Sequence, residues 1–138
     1  MDKIRKFFQE NDRLAQTLGI ELLEVGEGTA KARMTVGQMH LNAASSGHGG
    51  ATFSLADFAF AAAVNSHGRL AVAIQTGISF VKAPAEGDVL TAEAREIALH
   101  PKLAVCDVSV RDGSGDLVAS FQGTAYRKSR ELPLEKCS

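Results

Sequence analysis

A chain of 138 residues, 45% hydrophobic and 22% charged, has the size and composition of one ordinary folded domain rather than a disordered segment. A formal net charge of −1 argues against the basic field that nucleic acid or an anionic membrane surface would need. No apolar run is long enough to span a bilayer, and the start, MDKIRKFFQEND, lacks the apolar stretch of a signal peptide, so a single cytoplasmic domain over residues 1–138 is expected.

In chain order, Ile4 to Leu18 spaces Ile4, Phe7, Phe8, Leu14 and Leu18 as one helical face, with Gly19 as its stop. Two short extended pieces follow, IELLEV and TAKARMTV, joined by a Gly26–Gly28 hairpin turn. In the second, Ala30, Ala32, Met34 and Val36 alternate with Lys31, Arg33 and Thr35, which is strand periodicity. Residues 37–50, GQMHLNAASSGHGG, read as a polar loop. Ala51 to Val64 holds only helix formers and aromatics with no clear polar face, the pattern of a helix inside a protein, and Asn65 to Gly68 ends it.

Four strands are predicted in the second half. In the first, Ala71–Val81, the side chains of Val72, Ile74, Thr76, Ile78 and Phe80 are expected on one face. Val89–Leu99, Leu103–Arg111 and Leu117–Arg127 follow, separated by turns at APAEGD, HPK and DGSGD. Such short links predict antiparallel neighbours, and the tail after Lys128 is expected to fray. One buried helix and about six antiparallel strands make an α+β domain with a central helix. Cys106 and Cys137 lack metal-like spacing and read as a small core residue and a tail thiol. The four histidines, His40, His48, His67 and His100, are scattered, so no metal site is expected. His67 belongs to the helix end and His100 to a turn.

The stretch Gly49–Val64, GGATFSLADFAFAAAV, carries one carboxylate, Asp57, between apolar turns. An unpaired carboxylate in a core is costly. Either Asp57 sits on an exposed helix edge, or it walls a cleft as general base or nucleophile. Gly49 and Gly50 either make a bend or bring helix N-terminal amides close to an anion or a developing oxyanion. His48 reads as a polar loop residue or a site residue, and Asn42 as a turn former or a site residue. On one straight helix His48 and Asp57 would lie about 13 Å apart along the axis and roughly half a turn out of phase. If they cooperate, they do so from different chains, across a dimer interface.

Taken together, Asn42, GHGG at Gly47–Gly50, LAD at Leu55–Asp57 and FVKAPAEGD at Phe80–Asp88 resemble hotdog-fold acyl-CoA thioesterases of the PaaI-like group, named for phenylacetic acid degradation. The resemblance spans nearly the whole chain. It implies a curled antiparallel sheet of about six strands wrapped around one long helix, paired into dimers with shared sites and often doubled to tetramers. It implies hydrolysis of an acyl-CoA, with aryl-acetyl and other short or medium acyl groups open, and no cofactor beyond the coenzyme A of the substrate. Asp57 matches the family's catalytic carboxylate, the Gly49 backbone amide the group that polarises the carbonyl, and His48 and Asn42 the loop residues that orient thioester or water. Gly50, Thr76, Phe80 and Lys82 are expected along the substrate. Lys82, Lys102, Arg127 and Lys128 are candidates for the coenzyme A phosphates, and Phe53, Phe58, Phe60, Ile78 and Phe80 for the acyl pocket or plain core. Where the family commonly carries His-Gly soon after the Asn, this chain has Ala44 and Ser45. Two other readings of the fold are a hydratase or dehydratase, which would want a His within the helix, and a non-catalytic acyl-CoA-binding protein, which would leave Asp57 without a purpose.

Overall fold

The computed structural model describes residues 1–136, so the Cys137 thiol lies outside the described residues. Two short helices, α1 (Asp2–Asn11) and α2 (Arg13–Leu18), precede strands β1 (Glu21–Gly26) and β2 (Thr29–Thr35). The long helix α3 (Gly49–Val64) follows, then β3 (Arg69–Phe80), β4 (Val89–Leu99), β5 (Leu103–Arg111) and β6 (Leu117–Glu131). The strands form one antiparallel six-stranded sheet in the order β1-β2-β4-β5-β6-β3.

Helix α3 touches all six strands, which a flat sheet could not allow, so the sheet curls around it. Register shifts in β1, β3 and β4 supply local bends. The sheet turns a face of small residues inward: Ala32, Ala92, Ala104 and Ala125 are fully buried, as are Ala56, Ala59 and Ala62 on the helix. Small residues on both sides bring helix and sheet close together. Larger groups fill the remaining gaps. Phe60 and Phe121 are each 1% exposed, with ring centroids 5.6 Å apart. Burial of each contributes ~2–3 kcal/mol. A Cβ on Gly123 of β6 would sit 2.7 Å from the Phe60 ring, so this strand position is closed to any side chain. Cys106 is fully buried in the same core, where desolvation, with Glu96 adding to it, pushes its thiol up to about 12, an inert group.

Four expectations are corrected. The first helical run is broken in two at Asp12 (φ −83, ψ 101), whose carboxylate accepts from the Ala15 N–H and caps α2. The break resets the helical phase, and Leu14 ends up 58% exposed rather than on the buried face. In β3 the register shifts between Ala73 and Gln75, so the alternation flips at Ile74. Val72 then shares the outer face with Tyr126, while Thr76, Ile78 and Phe80 share the inner face with Gly123, Phe121 and Ala119. The link from β3 to β4, though short, does not join neighbours. The chain leaves α3 for the open edge beside β6, and the link then crosses the open end of the curled sheet. It is held there by Gly47 N–H to Pro84 O at 2.8 Å and Gly87 N–H to Val36 O at 2.7 Å. The described part of the tail is ordered into the fold rather than frayed: β6 runs to Glu131, and Leu132, 5% exposed, donates its N–H to Gly68 O. No helix among the described residues is long and apolar enough to cross a membrane.

Candidate active site

The loop before α3 is built by its own side chains. Asn42 Oδ1 accepts the N–H groups of Ala44 at 2.9 Å and Ser46 at 3.2 Å, so the turn-forming role holds for this oxygen. His40 is buried beneath the loop. Its Nδ1 accepts the Gly37 N–H at 2.9 Å, which leaves Nε2 to donate to Leu18 O at 2.8 Å, and its carbonyl accepts the His48 N–H at 2.6 Å. This histidine, one of the scattered four in the sequence, braces the loop against the end of α2.

His48 is the N-cap of α3 (φ −69, ψ 132), and its Nδ1 accepts the Gly50 N–H at 2.8 Å. The neutral ring therefore carries its proton on Nε2. Gly50, expected to offer its amide to substrate, has that amide engaged by His48. The Gly49 N–H is the first of the helix, which supplies it no acceptor, and it has no partner among the described residues. Gly49 lines a cavity of about 340 Å³ with Thr52, Phe80, Lys82 and Pro84. The Phe80 ring lies over Gly49, and a Cβ there would be 3.1 Å from its Cζ. Lys82 sits in the same cavity, but its Nζ bonds Asp112 at 2.6 Å and Asp116 at 2.9 Å. Those bonds raise the Lys82 pKa and, for Asp112, hold the carboxyl low. Lys82 is thus the centre of an ion-pair network with Asp112 and Asp116 at the wall of this cavity.

Asp57 lies in a different place. It faces a cavity of about 250 Å³ with Phe60, Ala61 and Val64, the residues three, four and seven positions further along the same face of α3. The opposite wall is the start of β3, Leu70 to Ala73, and Phe7, Phe8 and Leu132 complete the lining. Asp57 is the only charged residue in this lining. Its pKa is raised above the ordinary 3.8, first by burial and second by the nearby charge of Asp12. The alternative of a simply solvated edge residue does not describe a half-buried carboxylate at the rim of an apolar chamber.

Within one chain the two halves stay apart. The Gly49 and Asp57 cavities share no lining residue. One opens at the end of β3 and the other at its beginning; Val72 and Phe80 are separated by ~26 Å of extended strand. Thr76 lies midway on β3 and lines neither cavity. Of the basic candidates, Arg127 stands opposite Ala71, which lines the Asp57 chamber, and gives its Nη1 to His100 O at 2.8 Å. Phe60 lines that chamber and Phe80 the other, whereas Phe53 packs on Phe121 with centroids 5.6 Å apart. Among the described residues, no three His, Cys, Asp or Glu side chains gather as metal ligands.

Residues that the sequence reading did not single out for the site are Asp12, Phe7, Phe8 and Leu132. For Asp12 a signal existed: an Asn-Asp pair inside a helical run is an N-cap signature. For Leu132 there was none, because a Pro-containing tail has no periodicity to show which side chain turns inward.

Residues 46–119 match the model of the family described as the thioesterase superfamily. The chain is 42% identical over 118 residues to the acyl-coenzyme A thioesterase PaaI of Escherichia coli K12, covering 86% of this chain and 84% of that protein. Among solved structures, the E. coli PaaI protein from the phenylacetic acid degradation operon superposes with a TM-score of 0.90 at 38% identity, over 94% of this chain and 96% of that one. A hypothetical thioesterase from Streptococcus pneumoniae TIGR4, solved with coenzyme A, superposes with a TM-score of 0.84 at 25% identity, over 92% of this chain and 98% of that one. With a six-stranded sheet curled around one long helix, the chain has the hotdog fold and belongs to the thioesterase superfamily.

Proposed function

We infer that the protein hydrolyses acyl-CoA thioesters, with Asp57 as the general base and the Gly49 N–H as the oxyanion donor. The observation that carries this reading is the placement of Asp57: one carboxylate, its pKa raised by burial, as the only charge on an apolar chamber. A base whose pKa is lifted toward the working pH takes a proton more readily than an ordinary carboxylate. In this scheme Asp57 removes a proton from water as the water oxygen attacks the thioester carbon. Negative charge develops on the carbonyl oxygen, where the Gly49 N–H and the positive end of α3 stabilise it. The intermediate then collapses, the C–S bond breaks, and the proton held by Asp57 passes to the departing coenzyme A sulfur, which restores the carboxylate. The same scheme assigns the Nε2–H of His48, the residue before Gly49, as a second donor to that oxygen. The E. coli relative, an acyl-coenzyme A thioesterase, and the coenzyme A bound to the pneumococcal neighbour support the substrate class.

We further propose that each site is shared between two copies. β3 is an edge strand carrying exposed Val72, Ile74 and Phe80, with exposed Val81 just after it, an unpaired apolar edge of the kind that recruits another strand. Antiparallel pairing of β3 with itself about Thr76 sets Val72 opposite the second copy's Phe80. The Asp57 chamber of one chain then meets the Gly49 cavity of the other. This accounts for the half-sites at opposite ends of one strand, and such dimers can double to a tetramer.

Thiol release from a panel of acyl-CoAs, aryl-acetyl-CoA included, tests the reading. Turnover is expected to survive EDTA, because no step needs a metal or added cofactor. Binding without thiol release would make the protein an acyl-CoA carrier or sensor, and addition of water to an enoyl-CoA would make it a hydratase. Gly49→Val keeps the backbone N–H but puts a side chain in the path of the carbonyl, and is expected to cut kcat/KM by about a hundredfold, as if one oxyanion donor were lost. A Cβ there lies 3.1 Å from the Phe80 ring, which must yield slightly as the cavity fills, so the Tm is measured beside the kinetics to show that the loss is not one of folding. Wild-type kinetics in this variant would remove Gly49 from the mechanism.

A further inference from the structure

The Asp57 chamber ends at two rings of α1. Phe7 and Phe8 pack edge to face with centroids 5.4 Å apart, and Phe8 packs on the buried Phe58 of α3 at 6.5 Å. The same two rings also line a second cavity, about 450 Å³, whose other walls are Asn11, Asp12 and Arg13. Phe7 and Phe8 are the only residues common to both linings. They form a partition, with the carboxylate-bearing chamber of about 250 Å³ on one side and the larger space on the other. The partition belongs to α1, a short helix of ten residues, not to the sheet. Its rings are half-buried, whereas Phe60 and Val64 of α3 and Ala71 of β3 are held in the core.

We propose that the Phe7–Phe8 partition sets the upper size of the acyl group: the chamber beside Asp57 takes a compact acyl group, an aryl-acetyl or a short chain, and the rings stop a longer one from continuing into the cavity behind. This rests on the thioesterase reading above. A chamber of this size lies below the usual range for drug-sized ligands, so it suits a small group filling it closely. Once an acyl chain reaches the partition, each further methylene must displace a ring, and one methylene in a filled apolar pocket changes kcat/KM by about 10- to 200-fold. Removing a ring joins the two spaces and lets the chain pass. A ring that only stabilised α1 would, on removal, weaken activity toward all substrates alike.

The test is the acyl-length profile of kcat/KM, from acetyl-CoA to palmitoyl-CoA together with phenylacetyl-CoA, for wild type, Phe7→Ala, Phe8→Ala and the milder Phe8→Leu. Wild type is expected to peak on a compact acyl group and to fall at least tenfold within a few carbons beyond it. Phe8→Ala should move the peak to longer chains and raise kcat/KM for a long-chain substrate at least tenfold. For the compact substrate it should raise KM more than it lowers kcat, because the group is held less closely while Asp57 is unchanged. Phe8→Leu, which keeps more of the packing on Phe58, should give a smaller shift in the same direction and covers the case in which the alanine variant fails to fold. An unchanged length profile in folded Phe7→Ala and Phe8→Leu, with wild type active, overturns the partition and leaves the thioesterase reading standing. No thiol release by wild type on any acyl-CoA overturns both.

Discussion

Asp57→Asn is expected to lower kcat by about 10²- to 10⁴-fold, the usual contribution of a positioned general base, with KM little changed and the Tm at pH 7 equal to or above that of wild type. An amide keeps the size and polarity of the side chain but cannot accept the proton, so the loss falls on the chemical step. The stability part follows from linkage. Burial raises the folded-state pKa of Asp57 above its unfolded value, so through that interval the folded state binds more protons. Stability therefore falls as pH rises through the window, and the cost persists at pH 7, where the carboxylate is ionised. Asparagine does not carry that cost, and its advantage should vanish at a pH low enough to protonate Asp57 in both states. Calorimetry at acid and neutral pH, beside steady-state kinetics, checks both halves. Near wild-type turnover would end the assignment of Asp57 as base, and a lower Tm at pH 7 would end the account of its burial.

The same raised pKa places the acid limb of kcat/KM above the ordinary carboxylate value of 3.8, since activity requires the ionised form. Asp12 contributes to that raise. Asp12→Asn keeps a good cap for α2 and should move the acid limb downward.

Mixing two dead variants is expected to restore about a quarter of wild-type activity. His48→Ala and Asp57→Ala each remove one half of every site if His48 and Asp57 come from different chains. In a mixed two-fold dimer one site carries both lesions and the other carries neither. Random re-association of equal amounts makes about half the dimers mixed, hence roughly a quarter of all sites intact. The expectation rests on the separation of the two cavities along β3 and on the open edge of that strand. Subunits would be exchanged by mild denaturation and refolding, each variant treated alone as control, with exchange verified by mass. A mixture as inactive as its parents after proven exchange means that each site is complete within one chain.

Much of this molecule was legible as pattern. β4 and β5 were bounded correctly because alternation against a one-sided core has period two and the turns before, between and after them, APAEGD, HPK and DGSGD, are short and carry Pro, Gly or Asp. The central helix was legible because Ala51–Val64 is apolar all round, and only an interior helix can be so; the structure extends it back to Gly49, since His48 caps it from outside. Asp57 stood out as the charge such a helix should not contain. The errors arose where local pattern was overruled. A single capping carboxylate, Asp12, split a run that periodicity joined, and a one-residue bulge at Ile74 reversed the faces of the rest of β3.

The sequence by itself determined the elements, the buried helix and the carboxylate on it, because these depend on neighbours within a few residues and on which side chains tolerate water. Only the tertiary structure decided which strands pair, that β3 takes the outer edge, that Leu132 and the α1 rings close the Asp57 chamber, and that His48 holds the Gly50 amide while leaving Gly49 open. Those outcomes depend on long-range geometry: how far a sheet must curl to cover one helix, and where a link can cross its open end. Chain spacing carries no record of either, since residues such as Phe8, Asp57 and Leu132 meet only after the sheet has closed around α3.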